Sequence, residues 1–108
     1  GNKSFAVHQL AAVVVIAAGV WLQVDLTEWC LLIICIAAVT AAETFNGSIE
    51  SLAKFAAKER DPLIGRSLDM AAGAILLTAI GAACVGLVIF VPKIAALFAD
   101  IEFSATSL

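Results

Sequence analysis

The hydrophobic pattern divides the chain into long apolar stretches separated by short polar segments. The stretches cover residues 5–22, 28–57 and 69–91. A helix of eighteen residues rises ~27 Å, which is close to the thickness of a bilayer's hydrocarbon core. The pattern therefore predicts an all-α membrane protein of three transmembrane helices, forming a single integral membrane domain over residues 1–108.

The polar segments indicate where these helices end. The second stretch is longer than a bilayer requires, so we expect its second half to emerge from the membrane. The connection at 58–67 contains Pro62, which prevents the preceding helix from continuing, and Gly65, which indicates a turn. We expect Pro92 to end the membrane section and to leave 92–108 as a short amphipathic or frayed tail.

Composition supports a membrane protein and excludes other classes. The chain is 63% hydrophobic and only 14% charged, whereas a soluble domain is nearer to half apolar. With a net charge of −3 and no basic stripe, nucleic acid is not an expected partner. The cysteines, at 30, 35 and 84, lie in apolar runs and are expected to be inert small side chains.

The basic residues predict the orientation in the membrane. The second connection, counted here with its flanks over residues 51–68, carries most of them, at Lys54, Lys58, Arg60 and Arg66, whereas the turn at 23–28 carries none. The positive-inside rule then places this connection and the N-terminus in the cytoplasm. The turn, flanked by Trp21 and Trp29 as an interfacial belt, faces outward.

A polar face interrupts the second apolar stretch near its cytoplasmic end. Glu43, Asn46 and Glu50 are spaced i, i+3 and i+7, so a helix places them on one face. Ionisable groups at membrane depth are costly and usually mark function. Glu50, nearer to water, suits Mg²⁺, and the deeper Glu43 suits a general base acting on a lipid hydroxyl. Asp69 enters the third helix at the same level and is a candidate third carboxylate.

The spacing alone leaves other functions open. A carboxylate within a membrane can simply form a hydrogen bond to a neighbouring helix, and a small proton-coupled transporter also needs a buried glutamate. No P-loop, kinase glycine-rich loop or H-E-x-x-H motif occurs, which excludes the soluble phosphoryl-transfer scaffolds.

Two segments narrow these alternatives. AAETFNGSIESL at 41–52 and GRSLDMAAGAIL at 65–76 closely resemble the signature segments of the prokaryotic diacylglycerol kinase and undecaprenol kinase family, and the likeness extends over residues 5–91. The resemblance implies a lipid kinase of the bacterial inner membrane that transfers the γ-phosphate of MgATP to a lipid alcohol. It also implies a homotrimer with active sites between subunits.

The resemblance assigns roles to individual residues. Glu43 matches the family's catalytic base, and Glu50 matches a magnesium ligand that also meets the nucleotide phosphate. Asn46 matches the amide of the first motif, and Asp69 matches the aspartate beside the nucleotide. Asp61 falls in the loop that contacts nucleotide in the family.

The chain departs from the family pattern at several charged positions. Leu68 replaces a lysine that supplies positive charge to the ATP phosphates, and Asn2 replaces a glutamate of the metal site. Lys54 stands where an aspartate is usual, and the loop at 59–61 matches the family poorly. Lys54 or Arg66 is a candidate replacement for the lost lysine. A catalytically impaired lipid- or nucleotide-binding member is therefore the alternative function.

Overall fold

The computed structural model contains three α-helices. They are α1 (Asn2–Trp21), α2 (Leu26–Ala56) and α3 (Pro62–Thr106). Each is long and apolar enough to cross a membrane. The predicted all-α class with three membrane-length helices is therefore confirmed.

The structure describes residues 2–56 and 61–107 of the chain. Residues 57–60 lie outside this part, and they include two of the basic residues from which the orientation in the membrane was predicted, Lys58 and Arg60. The side chain of Asn2 is also outside it.

Helices α1 and α2 pack antiparallel. Near the end of α1, Gly19 lies against the ring of Trp29 at the start of α2. Near the start of α1, Ser4 forms a hydrogen bond to Glu43, far along α2. The two contacts bring the first turns of α1 to the level of the predicted polar face.

The turn between α1 and α2 is closed by backbone hydrogen bonds. The N–H of Val24 donates to the carbonyl of Gly19 at 3.1 Å, and that of Gln23 donates to Val20 at 3.3 Å. This is a Schellman motif, in which the residue after the helix takes a left-handed conformation. Gln23 has φ 55°, and Val24, which follows it, is buried in the core.

A reciprocal pair of caps begins α2. The N–H of Glu28 donates to Asp25 Oδ1 at 2.8 Å, and the N–H of Asp25 donates to Glu28 Oε1 at 3.0 Å. Such a capping box satisfies two of the donors that a helix start leaves unpaired. Glu28 also pairs with Lys93 of α3, with Oε1 and Nζ 3.0 Å apart. Helix α3 is therefore antiparallel to α2.

Helix α3 begins earlier than the sequence pattern predicted. Pro62 occupies its first turn, and Asp61 caps it by accepting a hydrogen bond from the N–H of Leu63 at 2.8 Å. Proline suits this position because the first N–H groups of a helix have no partner within it. Gly65 consequently lies inside the helix, and its prediction as a turn is wrong.

Helix α3 also continues through Pro92 to Thr106. The tail is helical rather than frayed, since a proline removes only one backbone donor and apolar helices tolerate it. Its 45 residues correspond to a length of ~67 Å, in keeping with the 71 × 22 × 19 Å dimensions of the molecule. The residues after Lys93 project past the α1–α2 turn, and the membrane limits of 69 and 91 remain predictions.

The apolar core lies close to this turn. Val24, Leu32 and Ile89 are buried there, one from the turn and one from each of α2 and α3. Most other large apolar side chains of the described residues are exposed. Apolar exposure on this scale marks a surface that contacts lipid or other protein.

Candidate functional site

Glu43 is buried where α1 crosses α2. Its exposed fraction is 6%, and its Oε1 atom meets two side chains of α1. Ser4 Oγ donates a hydrogen bond to Oε1 at 2.8 Å. His8 Nδ1 lies 2.5 Å from the same oxygen. The carboxyl group that the sequence predicted as a base is therefore held by two polar partners.

These partners are placed by the helical repeat of α1. Ser4 and His8 are four residues apart, so they lie on one face of the helix. A buried carboxylate is costly unless hydrogen bonds replace its water. Both contacts are to Oε1, and among the described residues no side chain forms a hydrogen bond to Oε2.

A second polar contact lies one turn along the same interface. Gln9 Nε2 of α1 is 3.5 Å from Thr40 Oγ1 of α2, near the limit of a hydrogen bond. Thr40 precedes Glu43 by three residues, so both side chains face α1.

Asn46 and Glu50 continue the polar face of α2. Asn46 is buried, with an exposed fraction of 6%, and its Nδ2 donates to Glu50 Oε1 at 2.8 Å. Glu50 is half-buried, so its carboxylate lies closer to the surface than that of Glu43. The helix thus presents a buried carboxylate, an amide and a more accessible carboxylate in line, as the spacing predicts.

The acidic residues fit a magnesium ion only if the substrate brings further ligands. In the described part of the chain, no group of three or more His, Cys, Asp or Glu side chains lies close enough to hold a metal ion. Mg²⁺ commonly takes one or two protein carboxylates and completes its shell with water and phosphate oxygens. Glu50 suits that arrangement because only its Oε1 is engaged by Asn46.

In the described part of the chain, the remaining predicted residues form no hydrogen bond or ion pair with this cluster. Asp61 caps α3, and the other charged candidates are exposed on their helices: Lys54, Arg66 and Asp69. Leu68 is half-buried. Across residues 2–56 and 61–107, the ion pairs are His8–Glu43 and Lys93–Glu28, and neither includes these candidates. Among these residues, Asp69 also joins no group of three or more acidic, histidine or cysteine side chains that could hold a metal ion.

Ser4 and His8 were not identified as site residues from the sequence. The available signal was their position, because two polar residues one helical turn apart near the start of an apolar helix form a polar face. That face can be read from the sequence, but its partner on α2 cannot.

The three membrane-length helices and the acidic polar face at one helix crossing define a small membrane protein with a buried carboxylate site. The profile of the family described as prokaryotic diacylglycerol kinase matches residues 1–90. The chain belongs to that family.

A curated relative supports the same assignment. The undecaprenol kinase of Bacillus subtilis (strain 168) is 29% identical over 93 residues, which is 86% of this chain and 76% of the relative. No solved structure matches the chain. The family is one of lipid kinases, and the residues of α3 after residue 90 lie beyond the family match.

Proposed function

We propose that this protein is an integral membrane kinase that transfers the γ-phosphate of ATP to the hydroxyl of a lipid alcohol. The observation that carries the proposal is the polar face of α2, where Glu43, Asn46 and Glu50 lie in line at one end of an apolar helix. Diacylglycerol and undecaprenol are the candidate substrates, because the family is described as diacylglycerol kinase and the curated relative is an undecaprenol kinase.

Glu43 is proposed as the general base. It accepts the proton of the lipid hydroxyl as that oxygen bonds to the γ-phosphorus, and the bond from this phosphorus to the bridging oxygen of ADP breaks. Its burial at the crossing of α1 and α2, with an exposed fraction of 6%, excludes water from one side of the carboxylate. General base catalysis of this kind contributes roughly 10²- to 10⁴-fold in rate.

Glu50 is proposed to hold the Mg²⁺ that arrives with ATP. It follows Glu43 by seven positions, which corresponds to ~10 Å along the helix axis. The nucleotide phosphates would occupy the more exposed end of the face, and the lipid hydroxyl the buried end. Bound there, Mg²⁺ neutralises charge on the phosphates, while Asn46 orients the carboxylate. Asp69 and Asp61 are proposed as further nucleotide contacts.

The positive charge lost at Leu68 has two proposed replacements. Lys54 follows Glu50 by four residues and lies on the same side of α2. Arg66 lies in the first turns of α3, and both side chains are exposed. If neither side chain reaches the phosphates, the alternative function is that of a catalytically impaired family member that binds lipid or nucleotide.

We propose the bacterial inner membrane as the location, with the N-terminus and the α2–α3 connection in the cytoplasm, and a homotrimer as the assembly. An open groove of about 780 Å³ along α2 supports a second copy as occupant. Small and hydroxyl side chains line part of it, at Ala37, Thr40, Ala41, Thr44 and Ser48. Such residues let membrane helices approach closely.

Turnover by the purified protein tests the proposed function. In detergent with MgATP and either diacylglycerol or undecaprenol, we expect ADP release that depends on the lipid and matches lipid phosphorylation. Glu43→Gln should lower kcat by about 10²-fold or more, whereas Val13→Ala, on the exposed surface of α1, should leave it unchanged. Absence of lipid-dependent turnover, together with no thermal shift by MgATP, would exclude the kinase and nucleotide-binding functions.

A further inference from the structure

His8 contacts the proposed base directly, and none of the roles given so far uses it. Its Nδ1 atom lies 2.5 Å from Glu43 Oε1, the shortest polar contact between helices in the described residues. Ser4 donates to the same oxygen from one turn earlier on α1. The side chain of Glu43 is only 4% exposed, compared with 23% for His8. The imidazole therefore covers the carboxyl group on its α1 side.

The partner determines which ring nitrogen carries a proton. A carboxylate oxygen can only accept, so with Glu43 ionised, as a base must be, Nδ1 is the donor. The described part of α3 that lines the cavity of about 260 Å³ beside His8 carries no charged side chain, since it contributes Ala79, Ala82, Ala83, Gly86 and Phe90. The polar residues that line the cavity with His8, Thr40 and Cys35, both come from α2.

We propose that His8 is a positioning residue for Glu43, a role that rests on the proposed kinase function. By donating to Oε1 together with Ser4, it fixes the carboxylate so that Oε2 points away from α1 toward the lipid hydroxyl. The same two hydrogen bonds replace water at Oε1 of the buried carboxyl group. The base thus obtains its partners from its own chain.

The expected effect is on the chemical step and not on nucleotide binding. A displacement of about 1 Å at a reacting group costs about 10²-fold in rate, so His8→Ala should lower kcat by about that factor. The KM for MgATP should not change, because Asn46 and Glu50 form their contact without α1. A general loss of folding would instead affect both constants.

The matched variant is His8→Asn. The amide Nδ2 of asparagine takes nearly the place of Nδ1 and donates a hydrogen bond, so this variant should recover kcat to within about 10-fold of the wild type. Val7→Ala, an exposed neighbour on α1, serves as the control and should behave as the wild type. Unchanged kcat in His8→Ala, or an equal loss in His8→Asn, overturns the positioning role while leaving the kinase function in place.

A stability measurement tests the contact independently of turnover. His8→Ala should lower the Tm in detergent when Glu43 is present, and should lower it clearly less in a Glu43→Leu background, where no carboxylate needs a donor. Equal shifts in the two backgrounds overturn the proposal, even if the wild type shows no kinase activity. Failure of the kinase function and failure of the His8 role are therefore distinguishable.

Discussion

The carboxylate of Glu28 joins two helices through one oxygen: Oε1 lies 3.0 Å from Lys93 Nζ of α3 and accepts the Asp25 N–H at 3.0 Å. The start of α2 and the C-terminal part of α3 are thereby held in register. Both side chains of the ion pair are mostly covered, with exposed fractions of 21% for Glu28 and 29% for Lys93.

Substitutions at Glu28 should distinguish the contribution of the helix cap to stability from that of the ion pair with Lys93. Glu28→Ala removes both and should lower the free energy of unfolding by about 1–2 kcal/mol. Glu28→Gln keeps an acceptor for the cap and should cost less than about 1 kcal/mol, as should Lys93→Ala. Denaturation in detergent measures these differences, with Glu102→Gln on exposed α3 surface as the charge control. Equal losses for the Ala and Gln variants of Glu28 would contradict the capping role.

Gly19 should be intolerant of any side chain. A Cβ atom there would lie 2.7 Å from Cη2 of Trp29, so the ring would have to move. We expect Gly19→Ala to destabilise the protein by about 1–3 kcal/mol, and the penalty should largely disappear in a Trp29→Leu background. Gly81→Ala is the control, because nothing lies within 4 Å of its added Cβ. A similar Tm for both alanine variants would contradict this packing.

In the α1–α2 turn, position 23 has a backbone conformation that suits glycine better than the glutamine present. Its φ of 55° costs a side-chain-bearing residue about 1 kcal/mol. Gln23→Gly should therefore raise the free energy of unfolding by up to about 1 kcal/mol, reduced by the greater freedom of glycine in the unfolded chain. Gln23→Val should lower it, since a β-branched residue fits this conformation poorly. The same detergent assay ranks the variants, and a Val variant as stable as the Gly variant would refute the argument.

Leu68→Lys should increase activity if the kinase function is correct. The substitution supplies positive charge next to Asp69, where the family has a lysine. Charge stabilisation of a transferring phosphoryl group is worth on the order of 10²-fold in rate, so kcat/KM for MgATP should rise toward that factor. Leu68→Met preserves the apolar character and should not alter turnover. No gain in the lysine variant would mean that another cation, such as Lys54 or Arg66, already serves the phosphates.

Asn46→Ala should weaken the response to magnesium. Without the Nδ2 donor, the Glu50 carboxylate loses the hydrogen bond that orients it, and outer hydrogen bonds of this kind typically affect metal affinity by about 10- to 100-fold. Titration of Mg²⁺ at fixed ATP should show a higher half-saturating concentration. The control is Thr78→Ala, which should match the wild type, because the Thr78 hydroxyl bonds, among the described residues, only to carbonyls of its own helix. An unchanged magnesium response in Asn46→Ala would argue against Glu50 as the metal ligand.

The sequence by itself determined the three helices and the polar face of α2. Both depend on local information. The helices follow from apolar runs that are long enough to cross a bilayer and are bounded by polar segments. The polar face follows from the spacing, since residues at i, i+3 and i+7 share a helix face whatever surrounds them. The departures at Leu68 and Lys54 were likewise visible in the sequence. The start of α3 was predicted too late, because Gly65 was interpreted as a turn. In the structure, Asp61 caps the helix and Pro62 occupies its first position, so Gly65 lies inside the helix.

Only the tertiary structure decided what each helix face contacts. His8 and Glu43 are 35 residues apart, Glu28 and Lys93 lie on different helices, and the room for Trp29 depends on a glycine of α1. Such contacts depend on the relative rotation and axial position of helices, which are set by the sum of many small packing interactions and not by any single segment. For that reason the acidic face could be predicted from the sequence, while the histidine that holds its buried carboxylate could not.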